Sequence, residues 1–173
     1  TAQFQFSKDG GTTWNNSVSG KNVNLPFIGS ANVLRVKGTS NGGSNPYWLP
    51  DLTHPNYTVA AGAVLQYDIF FTSACTGSGR YGAIELVSDT VLRNSPPNDQ
   101  NGIASYASQN LQPVADQKWY HREIPITPGW TGKTIRAMQA VIETDTASQV
   151  TEMYIRNLRI VNGTTIKYLA YQD

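Results

Sequence analysis

Residues 64–72 read VLQYDIFFT, and this stretch decides the fold class. Two sets of side chains alternate along it, and the mainly apolar set falls at positions 65, 67, 69 and 71. Successive side chains of a β-strand point to opposite faces of a sheet, so this period of two is typical of a half-buried strand. The predicted core-facing residues are Leu65, Tyr67, Ile69 and Phe71.

Other short segments rich in β-forming residues follow the same pattern along the chain, separated by glycine, proline and asparagine turns. Helical periodicity is nearly absent and no internal repeat is evident, which argues against a βαβ fold, a propeller and a solenoid. A β-sandwich or barrel of roughly nine or ten strands is favoured. The predicted strands are residues 4–7, 12–14, 33–37, 64–72, 80–87, 103–107, 118–126, 135–143, 152–161 and 166–171.

Composition and length narrow the class further. The 173 residues are enough for one domain with its own hydrophobic core, and 39% are hydrophobic while only 14% are charged. A net charge of +1 gives no electrostatic footprint for nucleic acid or an anionic membrane, and no apolar run reaches the length of a membrane helix. Cys75 is the only cysteine, which excludes an internal disulfide.

Two stretches of the C-terminal half, 119–143 and 151–161, read WYHREIPITPGWTGKTIRAMQAVIE and TEMYIRNLRIV. They resemble the closing strands of carbohydrate-binding jelly-roll modules of the galactose-binding-like superfamily. The resemblance implies an all-β jelly-roll sandwich of two antiparallel sheets that binds sugar without catalysing a reaction. Arg156 stands where that pattern usually carries an aspartate, so no carboxylate role is carried over to this position.

The same resemblance implies a bacterial, extracellular protein in which such a module is attached to a glycoside hydrolase or polysaccharide lyase. Residues 1–173 begin without an initiator Met or a signal peptide, so we expect one module of a longer polypeptide, monomeric and with a covalently linked catalytic domain. Its expected partner is a polysaccharide or oligosaccharide, not nucleic acid or a membrane.

A second resemblance covers Ser7–Trp14, SKDGGTTW, which is similar to the Asp-box of sialidases. In that family the box is a hairpin turn with a structural role, and a sialidase propeller needs several boxes. We therefore expect a β-hairpin here and no sialidase activity.

Sugar recognition relies on aromatic rings that stack on the C–H faces of pyranose rings and on polar groups that hydrogen-bond the hydroxyls. Tyr47 and Trp48 follow a Gly/Asn-rich loop, and Trp130 lies in a Pro-Gly turn, so these rings are candidate platforms. The loop 92–102 concentrates polar side chains that are candidates for a hydroxyl or carboxylate clamp. The candidates there are Arg93, Asp99, Gln100 and Asn101, and strand residues Arg80, Tyr120 and Arg122 are candidates for a concave sheet face.

Catalysis is the main alternative. A glycosidase needs two carboxylates on one face, for which the strand residues Glu85, Glu123 and Glu143 are available. A lyase needs a proton acceptor beside a neutralising cation, and Tyr120, His121 and Arg122 have the right chemistry. Neighbouring strand residues point to opposite faces, however, so these three cannot act together. A structural or adhesive module without a glycan ligand is the third hypothesis.

No cofactor is required for sugar binding, and the one metal to consider is a structural Ca²⁺. Carboxylate ligands for it are available, although none forms a recognisable ligand loop. They are Asp68, Asp116, Glu143, Asp145 and Glu152.

Overall fold

The computed structural model describes residues 3–7, 33–39, 47–48, 51–75, 82–106, 117–143 and 150–170. Nearly all regular structure in these ranges is β-strand, with one short 3₁₀ turn at Leu92–Asn94. No helix in the same ranges is long and apolar enough to cross a membrane. The strands are β1 (Gln3–Ser7), β2 (Val33–Thr39), β3 (Tyr47–Trp48), β4 (Asp51–Thr53), β5 (Tyr57–Thr58), β6 (Ala63–Phe71), β7 (Gly82–Val87), β8 (Tyr120–Pro125), β9 (Thr134–Ile135), β10 (Ala137–Glu143), β11 (Val150–Asn162) and β12 (Thr165–Leu169).

The strands form two main antiparallel sheets, which confirms the predicted all-β sandwich. The large sheet has the order β1-β2-β11-β6-β8, and β12 adds to β11 beside β2. The small sheet has β10 at its centre, with β3 and β4 on one edge and β7 on the other. Strands β2, β4, β6, β7, β8, β10 and β11 alternate between the large and the small sheet along the chain, which is jelly-roll connectivity.

The core lies between the two sheets and is built from the predicted alternation. Leu65, Tyr67, Ile69 and Phe71 of β6 are all 0% exposed, as the pattern of residues 64–72 indicates. Inward-facing side chains of the neighbouring strands complete the cluster. They include Leu34, Val36, Ile84, Leu86, Ile124, Met138, Ala140, Met153, Ile155 and Ile160.

The segment 98–106 departs from the prediction. Residues 103–107 were expected to form a strand, but Ala104 makes only an isolated bridge to Asn98. The carboxylate of Asp99 accepts hydrogen bonds from the amides of Asn101 and Ile103 at 2.9 and 3.0 Å, which folds the segment into a turn. The strand prediction is therefore wrong here, because a local side-chain hydrogen bond competes with sheet pairing.

The Asp-box hairpin, the predicted strand 12–14 and the Gly/Asn-rich loop before Tyr47 lie outside the described residues, except that Ser7 ends β1. The other predicted strands are confirmed within a few residues of their expected ends.

The outward sides of the two sheets differ in exposure, and this difference positions the site. On the small sheet, the outward residues Ala83, Glu85 and Val141 are buried, with Arg93 and Tyr106 of the segment 92–106 packed around them. On the large sheet, most outward side chains of β6, β8 and β11 are half-buried or exposed. Within the described chain, the large sheet therefore offers the more accessible face.

Candidate functional site

Three aromatic rings lie side by side on the outward face of the large sheet, and we call them the aromatic row. Tyr154 of β11 pairs directly with Phe70 of β6, and their ring centroids are 5.9 Å apart with planes inclined by 19°. Trp119, just before β8, lies 5.6 Å from Phe70 on the other side. All three are half-buried, so part of each ring remains accessible.

The next row on this face is a hydrogen-bonded cluster around Asp68, which we call the Asp68 network. Asp68 Oδ1 lies 2.6 Å from His121 Nδ1, and its Oδ2 accepts hydrogen bonds from Arg156 Nε at 3.0 Å and Asn157 Nδ2 at 2.8 Å. Burial by itself would raise the pKa of Asp68, but the hydrogen bonds from these partners outweigh it and lower the pKa. Asp68 is therefore held as a carboxylate.

Arg156 connects the Asp68 network to the aromatic row. Its guanidinium carbon lies 4.0 Å from the centroid of the Trp119 ring, within the range of a cation–π interaction. The hydrogen bond from Nε and the contact with Trp119 together fix the plane of the guanidinium group.

A third row continues along the same face. Gln66 of β6 accepts a hydrogen bond from Arg159 Nε at 2.9 Å and donates one to Glu123 Oε1 at 3.2 Å. His121 Nε2 lies 3.3 Å from the same Glu123 oxygen, and its side chain is 43% exposed. Polar groups that can donate to or accept from hydroxyls therefore lie beside the aromatic row.

The face ends in a charged row on the other side of the aromatic residues. The carboxylate of Glu152 lies 3.0 Å from Arg35 Nη2 and 3.4 Å from Lys37 Nζ, so it is neutralised by two cations. Aromatic and polar rows on four neighbouring strands thus form one continuous surface.

Two residues predicted as ligand contacts belong to the interior instead. The side chains of Arg122 and Asp99 are 1% and 0% exposed and pair at 3.0 Å. Arg122 also donates to the carbonyl oxygens of Ile103 and Ala104 at 3.1 and 2.9 Å. These contacts occupy both groups in holding the 98–106 segment to β8, which corrects the prediction that they are accessible to a ligand.

The prediction that Trp130 presents its ring to a ligand is also corrected. It is 6% exposed and belongs to the hydrophobic core, so the Pro-Gly turn buries the ring instead of presenting it. Arg93 is engaged as well, because its Nη1 lies 3.1 Å from the buried carboxylate of Glu85. Burial raises the pKa of Glu85 in spite of this cation.

Gln100, Asn101 and Tyr120 lie at the edge of the large sheet. Gln100 donates to the carbonyl oxygen of His121 at 2.7 Å and accepts from the amide of Glu123 at 2.8 Å, and so it occupies the free edge of β8. Asn101 Nδ2 donates to the hydroxyl of Tyr120 at 2.9 Å. Gln100 and Asn101 are exposed and Tyr120 is half-buried, and all three stay predicted ligand contacts.

The remaining predicted aromatic platform lies in a strand instead of a loop. Tyr47 and Trp48 were expected in a loop, but they form β3 and pair with Glu143 and Ile142 of β10. They therefore belong to the small sheet, and their part in binding stays a prediction. Arg80 lies outside the described residues.

The residues proposed for catalysis are dispersed. Glu85 belongs to the small sheet, while Glu123 faces outward from the large sheet. The predicted opposition of neighbouring residues on β8 is confirmed, because His121 is exposed while Arg122 is buried. Glu85 and Glu123 therefore lie on different sheets, and His121 points away from the face of Tyr120 and Arg122. The side chain of Glu143 lies outside the described part of the chain.

The described residues also show no local ligand cluster for the predicted calcium ion. Among the described residues, no three acidic, histidine or cysteine side chains lie close enough to hold a metal ion. Asp68 and Glu152 are engaged with cations. Asp116, Asp145 and the side chain of Glu143 fall outside the described part of the chain. A structural Ca²⁺ stays a prediction.

The aromatic row and the Asp68 network were not selected from the sequence. The period of two that turns Leu65, Tyr67, Ile69 and Phe71 inward leaves the outward side of β6 to Gln66, Asp68 and Phe70, a position typical of ordinary solvent-facing residues. Only the pairing of β6 with β8 and β11 shows that Trp119 and Tyr154 flank Phe70. The one available signal was an outward phenylalanine between polar residues on the strongest strand.

Comparison with known proteins gives two similar solved structures. One is described as a family 30 carbohydrate-binding module, with 14% identity, a TM-score of 0.45, and coverage of 82% of this chain and 73% of that chain. The other is the family 30 module of a cellulosomal cellulase of Clostridium thermocellum, with 14% identity, a TM-score of 0.46 and 95% coverage of both chains. No family model and no curated protein matches the sequence.

Proposed function

We propose that this domain is a non-catalytic carbohydrate-binding module that binds a polysaccharide on the outward face of its large sheet. The observation that carries the proposal is the aromatic row of Tyr154, Phe70 and Trp119, which crosses three neighbouring strands. Aromatic rings offer a flat apolar surface to the C–H faces of sugar rings, and a row of them suits an extended chain.

The polar rows supply the second requirement. Hydroxyl groups of a sugar need hydrogen-bond donors and acceptors around the aromatic contact, because an unpaired polar group in a contact surface costs affinity. Exposed or half-buried Glu123, His121, Arg156 and Arg159 provide both kinds of group beside the rings. An accessible sheet face with this composition favours an extended glycan over a small buried ligand.

Existing hydrogen bonds hold several of these side chains before a ligand arrives. The Asp68 network fixes Arg156, Asn157 and His121 in one arrangement. Groups that are ordered in advance lose less conformational entropy on binding, which raises the affinity for a given set of contacts.

The extracellular location and the link to a catalytic domain are proposed from the sequence. We expect an extracellular module linked to a catalytic domain, which would keep that domain near its polysaccharide substrate by raising the effective concentration. Tests of the 173-residue domain address the binding step by itself.

Affinity electrophoresis through gels that contain neutral or acidic polysaccharides tests the proposal. We expect retardation by at least one polymer and about a tenfold weaker affinity for Tyr154→Ala and Trp119→Ala, because buried aromatic anchors dominate contact energies. Tyr57→Ala is the matched control, since it removes a half-buried ring on β5, outside the large sheet.

Three results would contradict the proposal. Absence of retardation in every polymer would remove the binding function. Folded Tyr154→Ala and Trp119→Ala variants with unchanged affinity would exclude this face. Release of reducing ends or unsaturated products from the polymers would show an enzyme instead of a binding module.

A further inference from the structure

An irregularity in β11 places two arginines on the same face of the large sheet. Arg156 pairs with Asp68 and Arg159 pairs with Gln66, so the two arginines are three residues apart on β11 but face positions two residues apart on β6. The register shifts between them, and Asn157 has a φ of 55°. This is a β-bulge, in which one strand has an extra residue that the paired strand lacks.

The bulge changes the direction of a side chain. Residues three apart on a regular strand point to opposite faces, so without the extra residue one arginine would point into the core. With it, both guanidinium groups lie in consecutive outward rows, at backbone positions roughly 7 Å apart along the sheet. Bulges often redirect side chains near functional sites.

Both guanidinium groups are held at Nε and leave the same edge available. Arg156 Nε donates to Asp68, and Arg159 Nε donates to the side-chain oxygen of Gln66. In the described part of the chain, the Nη nitrogens of these two arginines make no hydrogen bond. The two Nη nitrogens form the end of the planar fork that binds carboxylates.

Arg159 differs in its charge balance from four other described arginines, of which Arg156 pairs with Asp68 at 3.0 Å. Arg35, Arg93 and Arg122 each lie beside a carboxylate within 3.1 Å. Arg159 is instead anchored by the neutral amide of Gln66, and it forms no ion pair with any described residue. Its positive charge is therefore uncompensated at short range on a half-buried surface, where screening by water is weaker than in bulk solvent.

The nearest outward carboxylate of this row, that of Glu123, does not neutralise Arg159. Glu123 lies on β8, with the β6 residue Gln66 between it and Arg159, so the backbones of Glu123 and Arg159 are roughly 10 Å apart. Its Oε1 is engaged by Gln66 and His121.

We propose that Arg156 and Arg159, the arginine pair, bind the carboxylate group of a uronic acid unit, so that the domain recognises an acidic polysaccharide. The inference rests on the proposed function and adds the ligand class to it. The sugar rings lie along the aromatic row, and a carboxylate accepts hydrogen bonds from the Nη edge of the adjacent arginine pair.

Matched pairs of polymers test the ligand class with the wild-type domain. Polygalacturonate is compared with its methyl ester, and alginate is compared with its propylene glycol ester, because esterification removes the charge and keeps the backbone. We expect at least one acid form to bind about tenfold more tightly than its ester. This difference should shrink as ionic strength rises, since salt screens the interaction.

Variants then test the residues. Arg159→Gln should weaken binding of the acid form about tenfold and leave binding of the ester unchanged, while Arg159→Lys should restore only part of the loss because an ammonium group has no fork. Lys37→Gln is the matched control. It removes one positive charge from the same face beyond the aromatic row, and Arg35 still neutralises Glu152.

The outcomes separate this inference from the proposed function. Equal binding of acid and ester forms would overturn the carboxylate site and leave glycan binding standing. Equal losses for Arg159→Gln and Lys37→Gln would also overturn it, because general attraction of a polyanion would then explain the effect. Absence of binding to every polymer, neutral ones included, would remove the proposed function and this inference together.

Discussion

Arg122 carries a full positive charge at a position where 1% of its side chain reaches solvent. Transfer of a charge from water into a protein interior is unfavourable unless hydrogen bonds and an opposite charge compensate for it. Asp99 and two backbone carbonyl oxygens provide that compensation. The pair joins the 98–106 segment to β8, which explains why both residues serve the fold.

Asp99→Ala should destabilise the domain by about 3–5 kcal/mol, because it leaves the Arg122 charge buried and unpaired. The double variant Asp99→Ala with Arg122→Met should be more stable than Asp99→Ala, since it removes that charge. Urea unfolding followed by tryptophan fluorescence measures both. Strictly additive losses would show that the two side chains are not coupled.

The bulge of β11 acts at the scale of an element, because one residue sets the direction of the side chains on both sides of it. Asn157 occupies the left-handed region with a φ of 55°, where glycine and asparagine are favoured. Its side chain also donates to Asp68, so the bulge and the Asp68 network depend on each other.

Asn157→Ala and Asn157→Gly separate these two contributions. Both variants lose the hydrogen bond to Asp68, but only alanine is strained at this φ. We expect Asn157→Ala to be less stable than Asn157→Gly by about 1 kcal/mol, measured by urea unfolding. If the alanine variant were as stable as the glycine variant, backbone conformation would not limit this position.

The Asp68 network ties β6, β8 and β11 together and gives these elements a pH dependence. The pKa of Asp68 is lowered in the folded state, so its contribution to stability is fully present above the ordinary value of 3.8. The contribution is lost as the pH falls below 3.8 through the folded-state pKa. The groups that face its carboxylate are His121, Arg156 and Asn157.

We therefore expect Asp68→Asn to be less stable than the wild type by about 2 kcal/mol at pH 6, because hydrogen bonds to a charged group are lost. The difference in unfolding free energy between the two proteins should shrink as the pH falls below 3.8, the ordinary pKa of the carboxyl group. Urea midpoints from pH 2 to 7 measure it. Asp89→Asn is the control, since Asp89 is exposed and its pair with Lys133 should produce a much smaller gap. A gap for Asp68→Asn that persists undiminished at pH 2 would contradict this account.

At the scale of the whole molecule, the sandwich depends on close approach of its two sheets. Gly82 of β7, in the small sheet, faces Met153 and Phe71 of the large sheet, and a Cβ atom at this position would overlap Met153 Sδ. It would also lie 3.1 Å from the Phe71 ring. Protein interiors are packed too densely to absorb such an atom without a shift.

Gly82→Ala should destabilise the domain by about 1–3 kcal/mol through overpacking between the sheets. Combination with Met153→Ala, which makes room, should cost less than the sum of the two single changes. Thermal and urea unfolding of the four proteins measure this coupling. Additive losses would show that Gly82 and Met153 do not compete for the same space.

The two sheets also divide the molecule into a covered side and an accessible side. Arg93 and Tyr106 pack on the outward side of the small sheet, and the aromatic row occupies the outward side of the large one. The described outward residues Ala83, Glu85 and Val141 on the first side are buried and so are closed to a ligand. The proposed site follows from this asymmetry as much as from any single residue.

Much of the fold could be predicted, but little of the site. The candidates chosen from loops, such as Trp130, Asp99 and Arg93, have the right chemistry for a ligand. In the folded chain Trp130 packs in the core, while Asp99 and Arg93 form ion pairs with Arg122 and Glu85. Loop composition does not reveal whether a polar side chain has a partner elsewhere in the chain. Phe70 was placed on the correct side of β6, but its neighbours Trp119 and Tyr154 come from distant parts of the sequence.

The sequence by itself determined the all-β class, most strand positions and the core set of β6, because burial with a period of two is written locally along the chain. Only the tertiary structure decided which polar residues meet and which face they share. Arg159 and Gln66 are 93 residues apart, and a one-residue change of register exchanges the two faces of a strand. Pairing across the sheet, together with the bulge at Asn157, therefore assembled the site.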